Sequence, residues 1–532
     1  MKIKQAISVV LLFCFLFSFA GCGKLKEGKA FAMPIFDEPV SLDPQIAHSN
    51  AEKLVAANCY EGLVTLGEDG QILPGVAETY SVSNDGKTYR FTLREDTNWC
   101  VFSKHAGLLK EKYGEKFKET FPKQVTADDF LFALERVQDP QTESEDAYLF
   151  SAIESVTAKD DFSLEITLKY PDENFLFALT TPGAMPCHRD FFALCNGRYG
   201  LETGYTLCNG PFHLSSWQEK TSLKLSQNDG YHGERKVAPA SVTLYYNKDA
   251  SLLVEKMKNE VYDVAFLTAE EKDALGDTKA YTAKEVTDTT LSFLFNQGTA
   301  ALENENMRVA LAKAMDIRSM QGAENAMYAN AFIPPFCKIG TESLHSIEQG
   351  AEGYIKPDAE GAVQAFEEAL LELGKTSVEL EVLCTTEQET FVREVLQQWQ
   401  KTLGVKFVGT VSVLDSQTLA AAVAAGDYQI ALFPVRAYSN FIPDFLEQFG
   451  VGFSMHFEEE AYQNMLSEMR KSSADFDALK ESAKKAENYL LRHAVILPVQ
   501  YEHNYFLTQK DTEGIYFYAS KNSVYFITAK KK

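Results

Sequence analysis

Residues 73–94, LPGVAETYSVSNDGKTYRFTLR, carry the local pattern that says most about the fold. Two segments, 80–82 and 88–93, flank Asn84-Asp85-Gly86. The second segment alternates polar and apolar residues, which indicates a half-buried strand. Asp-Gly tolerates the positive φ that a tight turn needs. The stretch therefore predicts a β-hairpin.

Downstream of the hairpin, the signals are mostly helical. Asp358 predicts the N-cap of a helix that runs through Leu373. Thr386, with Glu389 three residues later, forms a capping-box pattern for another helix. Residues 476–492 predict a further helix, after which a strand begins. Helices that lead into strands, together with hairpins, predict mixed α/β domains around twisted sheets.

The N-terminus has the features of an export signal. Lys2 and Lys4 precede an apolar run from Ala6 to Ala20, which is too short to span a bilayer easily. Small residues before Cys22 predict that residues 1–21 are a lipoprotein signal peptide and that the Cys22 thiol takes a diacylglyceryl group. Residues 22–30 would then be a lipid-anchored tether. The alternative is an ordinary signal peptide with an accidental cysteine.

Length and charge limit the classes of function. The chain has 532 residues, which at ~150 residues per domain suggests three to four domains' worth of sequence. The formal net charge of −24 argues against a nucleic-acid partner and against adhesion to anionic lipid. No later stretch reaches ~18 uninterrupted apolar residues, so no transmembrane helix is expected in the mature chain.

The search for reactive groups is mostly negative. Removal of the signal and lipidation of Cys22 would leave seven of the nine cysteines, and these are expected to be mostly buried thiols. The sequence has no CxxC, HExxH, GxSxG, GxxxxGK[ST] or GxGxxG motif, and its histidines are scattered singly. We therefore expect no catalytic residue, no metal site and no cofactor. A glycosidase-like carboxylate pair stays open as an alternative.

A series of motifs resembles one family of transport proteins. The motifs are, in chain order, DEPVSLDP (37–44), YEGL (60–63), LPGVAE (73–78), the hairpin (83–94), VTADDF (125–130), CNGPF (208–212), DIR (316–318) and AVILPVQY (494–501). Each motif is weak alone, and most are turn, cap or core residues. Together and in register, they resemble the extracytoplasmic binding proteins of oligopeptide and dipeptide ABC importers, solute-binding family 5.

The resemblance implies an α/β, periplasmic-binding-protein-like, two-lobed fold of the class II type, with an extra small domain in the first lobe. Lobe I would comprise residues 31–62, 185–287 and 497–532. The small domain would be residues 63–184, and lobe II residues 288–496. The resemblance also implies a monomeric, non-enzymatic receptor that hands an oligopeptide or similar solute to permease subunits.

Ligand-binding residues follow from the same resemblance. The family's first-lobe loop corresponds to His48, Ser49 and Asn50, a second-domain aromatic to Tyr148, and the second-lobe segment to Arg436, Ala437, Tyr438 and Asn440. Tyr438 occupies the position where peptide-binding members have an amine-pairing Asp, so we do not expect that ion pair here. Arg436 is the candidate for gripping a ligand carboxylate, and a structural ion pair is its alternative.

Two further questions stay open at this level. The segment between Trp99 and Pro122 is an insertion relative to the family, and it predicts an amphipathic helix. The ligand class is also open, because a fold does not settle a ligand. The alternatives are a peptide-sensing receptor, a receptor for a nickel chelate or an oligosaccharide, and a secreted hydrolase.

Overall fold

The computed structural model describes residues 28–67, 71–172, 174–233, 235–319, 327–339, 342–346, 349–437, 440–450, 457, 459–472, 475–518 and 523–532. The predicted signal peptide, Cys22 and residues 23–27 of the predicted tether lie outside the described residues. Within the described ranges, no helix combines the length and the apolar character that crossing a bilayer requires.

The strands are β1 (Ala30–Ile35), β2 (Val64–Leu66), β3 (Ile72–Pro74), β4 (Ala77–Val82), β5 (Thr88–Leu93), β6 (Ile153–Asp160), β7 (Ser163–Leu168), β8 (Phe212–Gln218), β9 (Ser222–Gln227), β10 (Ser241–Tyr246), β11 (Val264–Thr268), β12 (Tyr281–Phe295), β13 (Val378–Thr385), β14 (Phe407–Leu414), β15 (Ile430–Arg436), β16 (Ile496–Gln509), β17 (Thr512–Glu513), β18 (Tyr516–Tyr518), β19 (Ser523–Tyr525) and β20 (Lys530–Lys531).

The helices are α1 (Asn50–Cys59), α2 (Ala106–Tyr113), α3 (Phe117–Thr120), α4 (Ala127–Gln138), α5 (Phe175–Ala178), α6 (Arg189–Cys195), α7 (Ala250–Lys258), α8 (Ala269–Leu275), α9 (Ala300–Glu303), α10 (Glu305–Lys313), α11 (Ala359–Glu372), α12 (Glu389–Leu403), α13 (Ser416–Ala425), α14 (Ile442–Glu447), α15 (Glu460–Lys471) and α16 (Phe476–Arg492).

Three sheets organise most of the described chain. The N-terminal sheet has the order β1-β10-β9-β8, and the hairpin sheet has the order β4-β5-β7-β6. The six-stranded sheet has the order β11-β16-β12-β15-β13-β14. β1 pairs with β10 in parallel, and β13 pairs in parallel with β14 and β15, whereas the hairpin sheet is antiparallel. The result is the mixed α/β architecture that the sequence predicts.

Two long antiparallel strands, β12 and β16, lie side by side in the six-stranded sheet. The first half of β12 lies beside the end of β16 that also pairs with β11, and the second half of β12 pairs with both β16 and β15. The register of the β12–β16 pair shifts between Val286 and Thr289, which bends the strands there. β12 thus runs across the predicted boundary between residues 287 and 288. The domain boundaries themselves stay a prediction.

The hydrophobic cores follow the sheets. One core combines the N-terminal and hairpin sheets with residues from the end of the chain, and contains Phe91, Phe130 and Phe212. A second core lies between the six-stranded sheet and helices α10, α11 and α12. There the buried Trp399 indole donates from Nε1 to the Leu311 carbonyl at 2.9 Å, which satisfies its polar atom inside the apolar core.

Several local predictions are confirmed. β4 and β5 form the hairpin, with Val82 opposite Tyr89. α11 begins after Asp358, whose carboxylate accepts from the Gly361 N–H at 3.0 Å. α16 spans the predicted residues 476–492.

Two local predictions need correction. The Thr386 capping box is wrong, because α12 begins at Glu389 with Gln388 as N-cap and no capping side chain. The Gln388 amide oxygen instead accepts from the Thr385 N–H at 3.1 Å, and Glu389 pairs with Arg393. The insertion forms two short helices, α2 and α3, because Gly114 adopts a φ of 73° between them.

Candidate ligand cleft

A small open cleft lies where β1 ends, against the last residue of β15. Its apolar wall includes Met33, Ile35, Phe36 and Phe266, and its polar groups are Asp37, Asn50 and Arg436. Asn50 and Arg436, which come from distant parts of the sequence, therefore face the same space. Beside the apolar wall, the cleft carries one acidic and one basic side chain. It therefore suits a small ligand with charges of both signs.

The loop that leads to Asn50 is held by a buried carboxylate. Glu52 accepts at Oε1 from the backbone N–H groups of Val40 (2.8 Å) and Ser41 (3.1 Å). At Oε2 it accepts from the N–H groups of His48 (2.8 Å) and Ser49 (3.1 Å). Four backbone donors on one carboxylate fix the loop and place Asn50 at the first position of α1.

Of the three loop residues predicted to bind ligand, only Asn50 lines the described cleft. The Ser49 hydroxyl accepts from the Glu52 N–H at 3.2 Å, and together they form a capping box for α1. The His48 side chain is exposed. Ser49 is therefore engaged in helix capping, and its predicted ligand contact stays untested.

Arg436 makes the ion pair that was its structural alternative. Its Nε donates to Asp288 Oδ2 at 2.9 Å, while 38% of its side chain is exposed. In the described part of the chain, Asp288 is the only hydrogen-bonding partner of the guanidinium. A guanidinium has five donors in a planar fork, and the bond to Asp288 uses only the one at Nε.

Asp288 lies at the bulge where β12 and β16 bend. The side chain is 1% exposed, and its Oδ1 accepts from Asn504 Nδ2 at 2.7 Å and from Thr289 Oγ1 at 3.0 Å. Burial, followed by the charge of Asp288, raises the pKa of the nearby Glu502, and Arg436 opposes that rise. Arg436 is therefore the cation beside two carboxylates, Asp288 and Glu502, at the bend in β12 and β16.

The residues after Arg436 make backbone hydrogen bonds to neighbouring segments. The buried Ala437 donates its N–H to the Asp288 carbonyl at 2.8 Å. The Asn440 carbonyl accepts from the Lys338 N–H at 2.6 Å. Ala437 thus contributes backbone rather than side chain to the bend. Tyr438, the position of the missing amine-pairing Asp, lies outside the described residues.

Tyr148 lies apart from the lining of the described cleft and makes a long-range contact. Its hydroxyl donates to Asp444 Oδ1 at 2.7 Å. Burial and then the charge of Asp444 raise the pKa of Tyr148 well above its ordinary value, so the phenol stays protonated. Tyr148 belongs to the predicted small domain and Asp444 to the predicted lobe II, so the bond would join these two predicted domains.

Sequence reasoning missed Asp288, Asp37 and Phe266 as residues of this region. Asp288 had a detectable signal, because four consecutive polar residues, Thr287-Asp288-Thr289-Thr290, directly precede the mostly apolar end of the strand. Asp37 stands in the motif at 37–44, which supported the family resemblance but was given no role in ligand binding. Phe266 is an ordinary strand residue that only the fold brings to the cleft.

The comparisons with known proteins bear on this fold and cleft. The family model "Bacterial extracellular solute-binding proteins, family 5 Middle" matches residues 71–455. The chain belongs to this family. Membership confirms the resemblance drawn from the sequence motifs and places the chain outside the cytoplasm.

Family 5 relatives and a solved structure match nearly the whole chain. The dipeptide-binding protein DppE of Bacillus subtilis is 28% identical over 90% of this chain and 88% of its own length. The oligopeptide-binding protein OppA of the same organism is 24% identical over 98% of each chain. The structure of Listeria monocytogenes OppA bound to peptide superposes with a TM-score of 0.75 at 20% identity, covering 95% of this chain and 100% of that one. The two-lobed, periplasmic-binding-protein-like α/β fold is thereby confirmed.

The described residues contain no group of three or more His, Cys, Asp or Glu side chains placed to hold a metal ion. The described lining of the cleft supplies an amide, a carboxylate, a guanidinium and apolar side chains. Such groups recognise a ligand by shape and charge.

Proposed function

We propose that this chain is the substrate-binding protein of an ABC importer, which captures oligopeptides or a related small solute between its lobes and delivers them to the permease. The observation that carries the proposal is the cleft in which Asn50 and Arg436 converge over an apolar wall. Family membership supports it, as do the names of the curated relatives, which are dipeptide- and oligopeptide-binding proteins. The proposed role is binding rather than catalysis.

The cleft offers three kinds of contact to a peptide. Extended peptides bind by backbone hydrogen bonds, much as a strand is added to a sheet edge. The wall formed by Met33, Ile35 and Phe266 would take an apolar side chain. Arg436 would grip a carboxylate through its outer edge, and the exposed Asp37 would offset an ammonium group. The other predicted ligand-binding residues would act at the rim of the cleft or in closure of the lobes; they are His48, Ser49, Ala437, Tyr438, Asn440 and Tyr148.

Closure of the lobes would couple binding to delivery. A ligand shifts the population toward the closed form only through contacts that the open form lacks. Residues on both sides of the cleft, Asn50 and Arg436, provide such contacts. The permease would then recognise the closed form.

The proposal includes a location at the membrane. After removal of residues 1–21, a diacylglyceryl group on Cys22 would anchor a monomeric binding protein to the outer face of the cell membrane. Two signals support it, the short apolar segment and the small residues before Cys22. Mass spectrometry of the mature N-terminal peptide tests it. A diacylglyceryl group on Cys22 is expected, and an N-terminal peptide with an unmodified Cys22 would contradict the lipid anchor.

Native mass spectrometry of residues 23–532, produced in a peptide-containing medium, tests the substrate class. Denaturation should release a ladder of short peptides. A single non-peptide solute or a metal chelate would keep the receptor role and reject peptides as substrate. If added peptides are cleaved with turnover during incubation, the non-enzymatic role is wrong.

A further inference from the structure

Glu502, in β16, is an acidic residue that neither the fold nor the described lining of the cleft uses. The residue is half-buried. Within the part of the chain that the structure describes, its carboxyl group makes no hydrogen bond and no ion pair. Removing a carboxylate from water without a compensating partner costs free energy. A group of this kind is therefore a candidate for binding a ligand.

The register of the six-stranded sheet places Glu502 in one row with Arg436. Residues directly opposite each other in neighbouring antiparallel strands have their side chains on the same face of a sheet. Glu502 is opposite Thr289, and Thr289 is in turn opposite Arg436. The row therefore crosses β16, β12 and β15 on one face, and Arg436 at its end lines the cleft.

A second set of contacts places Glu502 on the same face independently. Side chains along a strand alternate between the two faces, so Phe506 and Glu502 of β16 share a face. Phe506 is opposite Phe266 in β11, and the centroids of their rings are 5.0 Å apart. Phe266 lines the cleft. Glu502 thus lies on the cleft face of the sheet, on the strand between β11 and β12.

The charges around Glu502 favour a cation. Arg436 already pairs with Asp288 through Nε at 2.9 Å, so two carboxylates share one guanidinium. Burial, followed by the charge of Asp288, raises the pKa of Glu502, and Arg436 only opposes that rise. A positive charge brought next to a carboxyl group stabilises its ionised form. A cationic group of a ligand would therefore offset both the burial and the repulsion.

We propose that Glu502 is a further ligand-binding residue, which receives an ammonium group of the ligand and so sets a preference for peptides with a free amino terminus. The proposal rests on the proposed function, the capture of peptides in the cleft. Asp37, the other carboxylate beside the cleft, is exposed, and water and salt weaken exposed ion pairs. The half-buried Glu502 should therefore make the stronger contact with the ammonium group.

The test is a competition between free and amino-acetylated peptides. The mature protein is mixed with equal amounts of a random-sequence library of short peptides in both forms, and native mass spectrometry identifies the bound masses. Acetylation removes the ammonium charge and leaves the rest of each peptide unchanged. The wild type should prefer the free form about 10- to 100-fold.

Two variants assign this preference to a residue. Glu502→Gln keeps the size of the side chain and removes its charge, so the preference should fall to nearly none. Glu285→Gln is the matched control, because Glu285 is exposed and lies opposite Tyr505, whose side chain is on the other face of the sheet. It removes the same charge from the neighbouring strand and should keep the preference.

Urea unfolding of the ligand-free proteins separates binding from stability. Glu502→Gln should be at least as stable as the wild type, because a neutral amide avoids the burial of an unpaired charge. A clear loss of stability would show that Glu502 has a partner within the chain, and would overturn the proposal.

The competition also distinguishes failure of this proposal from failure of the proposed function. If Glu502→Gln keeps the preference, or if Asp37→Asn removes it instead, the role of Glu502 is wrong while peptide binding stands. If the wild type captures neither form of the library, peptides are rejected as the substrate class, and the ammonium role of Glu502 is rejected with them.

Discussion

Arg436 pairs with Asp288 at the bend in β12 and also lines the cleft, so its proposed role in ligand binding can be tested by substitution. Hydrogen bonds to charged groups contribute about 1.5–3 kcal/mol, so Arg436→Gln should weaken binding of a peptide with a free C-terminus about 10- to 100-fold. Amidating that peptide should weaken wild-type binding to a similar extent and leave binding by the variant nearly unchanged. Isothermal titration calorimetry measures all four affinities.

Arg393→Gln is the matched control for Arg436→Gln. Arg393 pairs with Glu389 on an exposed face of α12, so its loss removes the same charge without touching the cleft. The carboxylate role of Arg436 is wrong if Arg436→Gln discriminates between free and amidated peptides as well as the wild type does.

The buried carboxyl group of Asp129 should make the free energy of unfolding depend on pH. Burial is the main cause that raises its pKa from 3.8 to about 7, although hydrogen bonds from Thr126 and Trp99 oppose the rise. Between about pH 4 and pH 7, the folded chain holds a proton that the unfolded chain has released. The contribution of Asp129 to the free energy of unfolding therefore falls as pH rises through this window.

Asp129→Asn should remove that loss, because a neutral amide can still accept the two N–H bonds through its oxygen. Its stability relative to the wild type should rise between pH 5 and pH 8, and one pKa unit corresponds to about 1.4 kcal/mol. Urea unfolding at the two pH values measures the difference. Asp128→Asn, at the exposed neighbouring position, is the control, and equal behaviour of the two variants would refute the prediction.

Single residues also show where sequence reasoning stops. Tyr438 and Arg436 were located by their place in a family segment, but no sequence feature revealed that Arg436 would pair with Asp288. The family segment did not reveal that the Ser49 hydroxyl caps α1, and the predicted ligand contact of Ser49 stays untested. A side chain with several possible partners is assigned only when the distances to all of them are known.

At the scale of elements, the approach of the α1 end to residues 208–210 depends on Gly210. A Cβ there would lie 2.7 Å from three backbone atoms, which have no rotamer to adjust. Overpacking of this kind costs about 1–3 kcal/mol, so Gly210→Ala should lower the free energy of unfolding by roughly that amount. Chemical denaturation monitored by tryptophan fluorescence measures it.

Gly107→Ala is the control for Gly210→Ala. Gly107 lies in α2 with nothing within 4 Å of an added Cβ, so alanine should be neutral or stabilising by up to about 1 kcal/mol. Equal stability of the two variants would show that the backbone at 208–210 relaxes freely.

Elements were predictable where the signal was local. The hairpin and the Asp358-capped helix depend on a turn or a cap within a few residues, and both are confirmed. The start of α12 was not predictable from this local signal. Gln388 bonds the Thr385 N–H and Arg393 pairs with Glu389, so both compete with the Thr386–Glu389 box. The insertion was expected as one helix, since its apolar spacing continues across Gly114, where the backbone turns.

At the scale of the whole molecule, the cleft is assembled from residues that no local pattern connects. Met33 follows the chain start, Phe266 lies in β11, and Arg436 ends β15. β16 pairs with β11 and β12, and β12 pairs with β15, so the six-stranded sheet holds β11 and β15 near each other. The pairing of strands so distant in sequence is a tertiary property. The family motifs supplied the fold class, and the geometry of the cleft came only from the structure.

The bond between Tyr148 and Asp444 predicts how the whole molecule closes on its ligand. It would join the predicted small domain to the predicted lobe II, so it should form in the closed state and be lost on opening. A hydrogen bond to a charged group contributes about 1.5–3 kcal/mol, and Tyr148→Phe should therefore weaken ligand binding roughly 10- to 100-fold. The variant should also keep a larger radius of gyration at subsaturating ligand, as measured by small-angle X-ray scattering. Tyr113→Phe is the control, because the Tyr113 hydroxyl contacts Asp190 at 3.4 Å on an exposed surface. If both variants bind and compact like the wild type, the Tyr148–Asp444 bond does not contribute to closure.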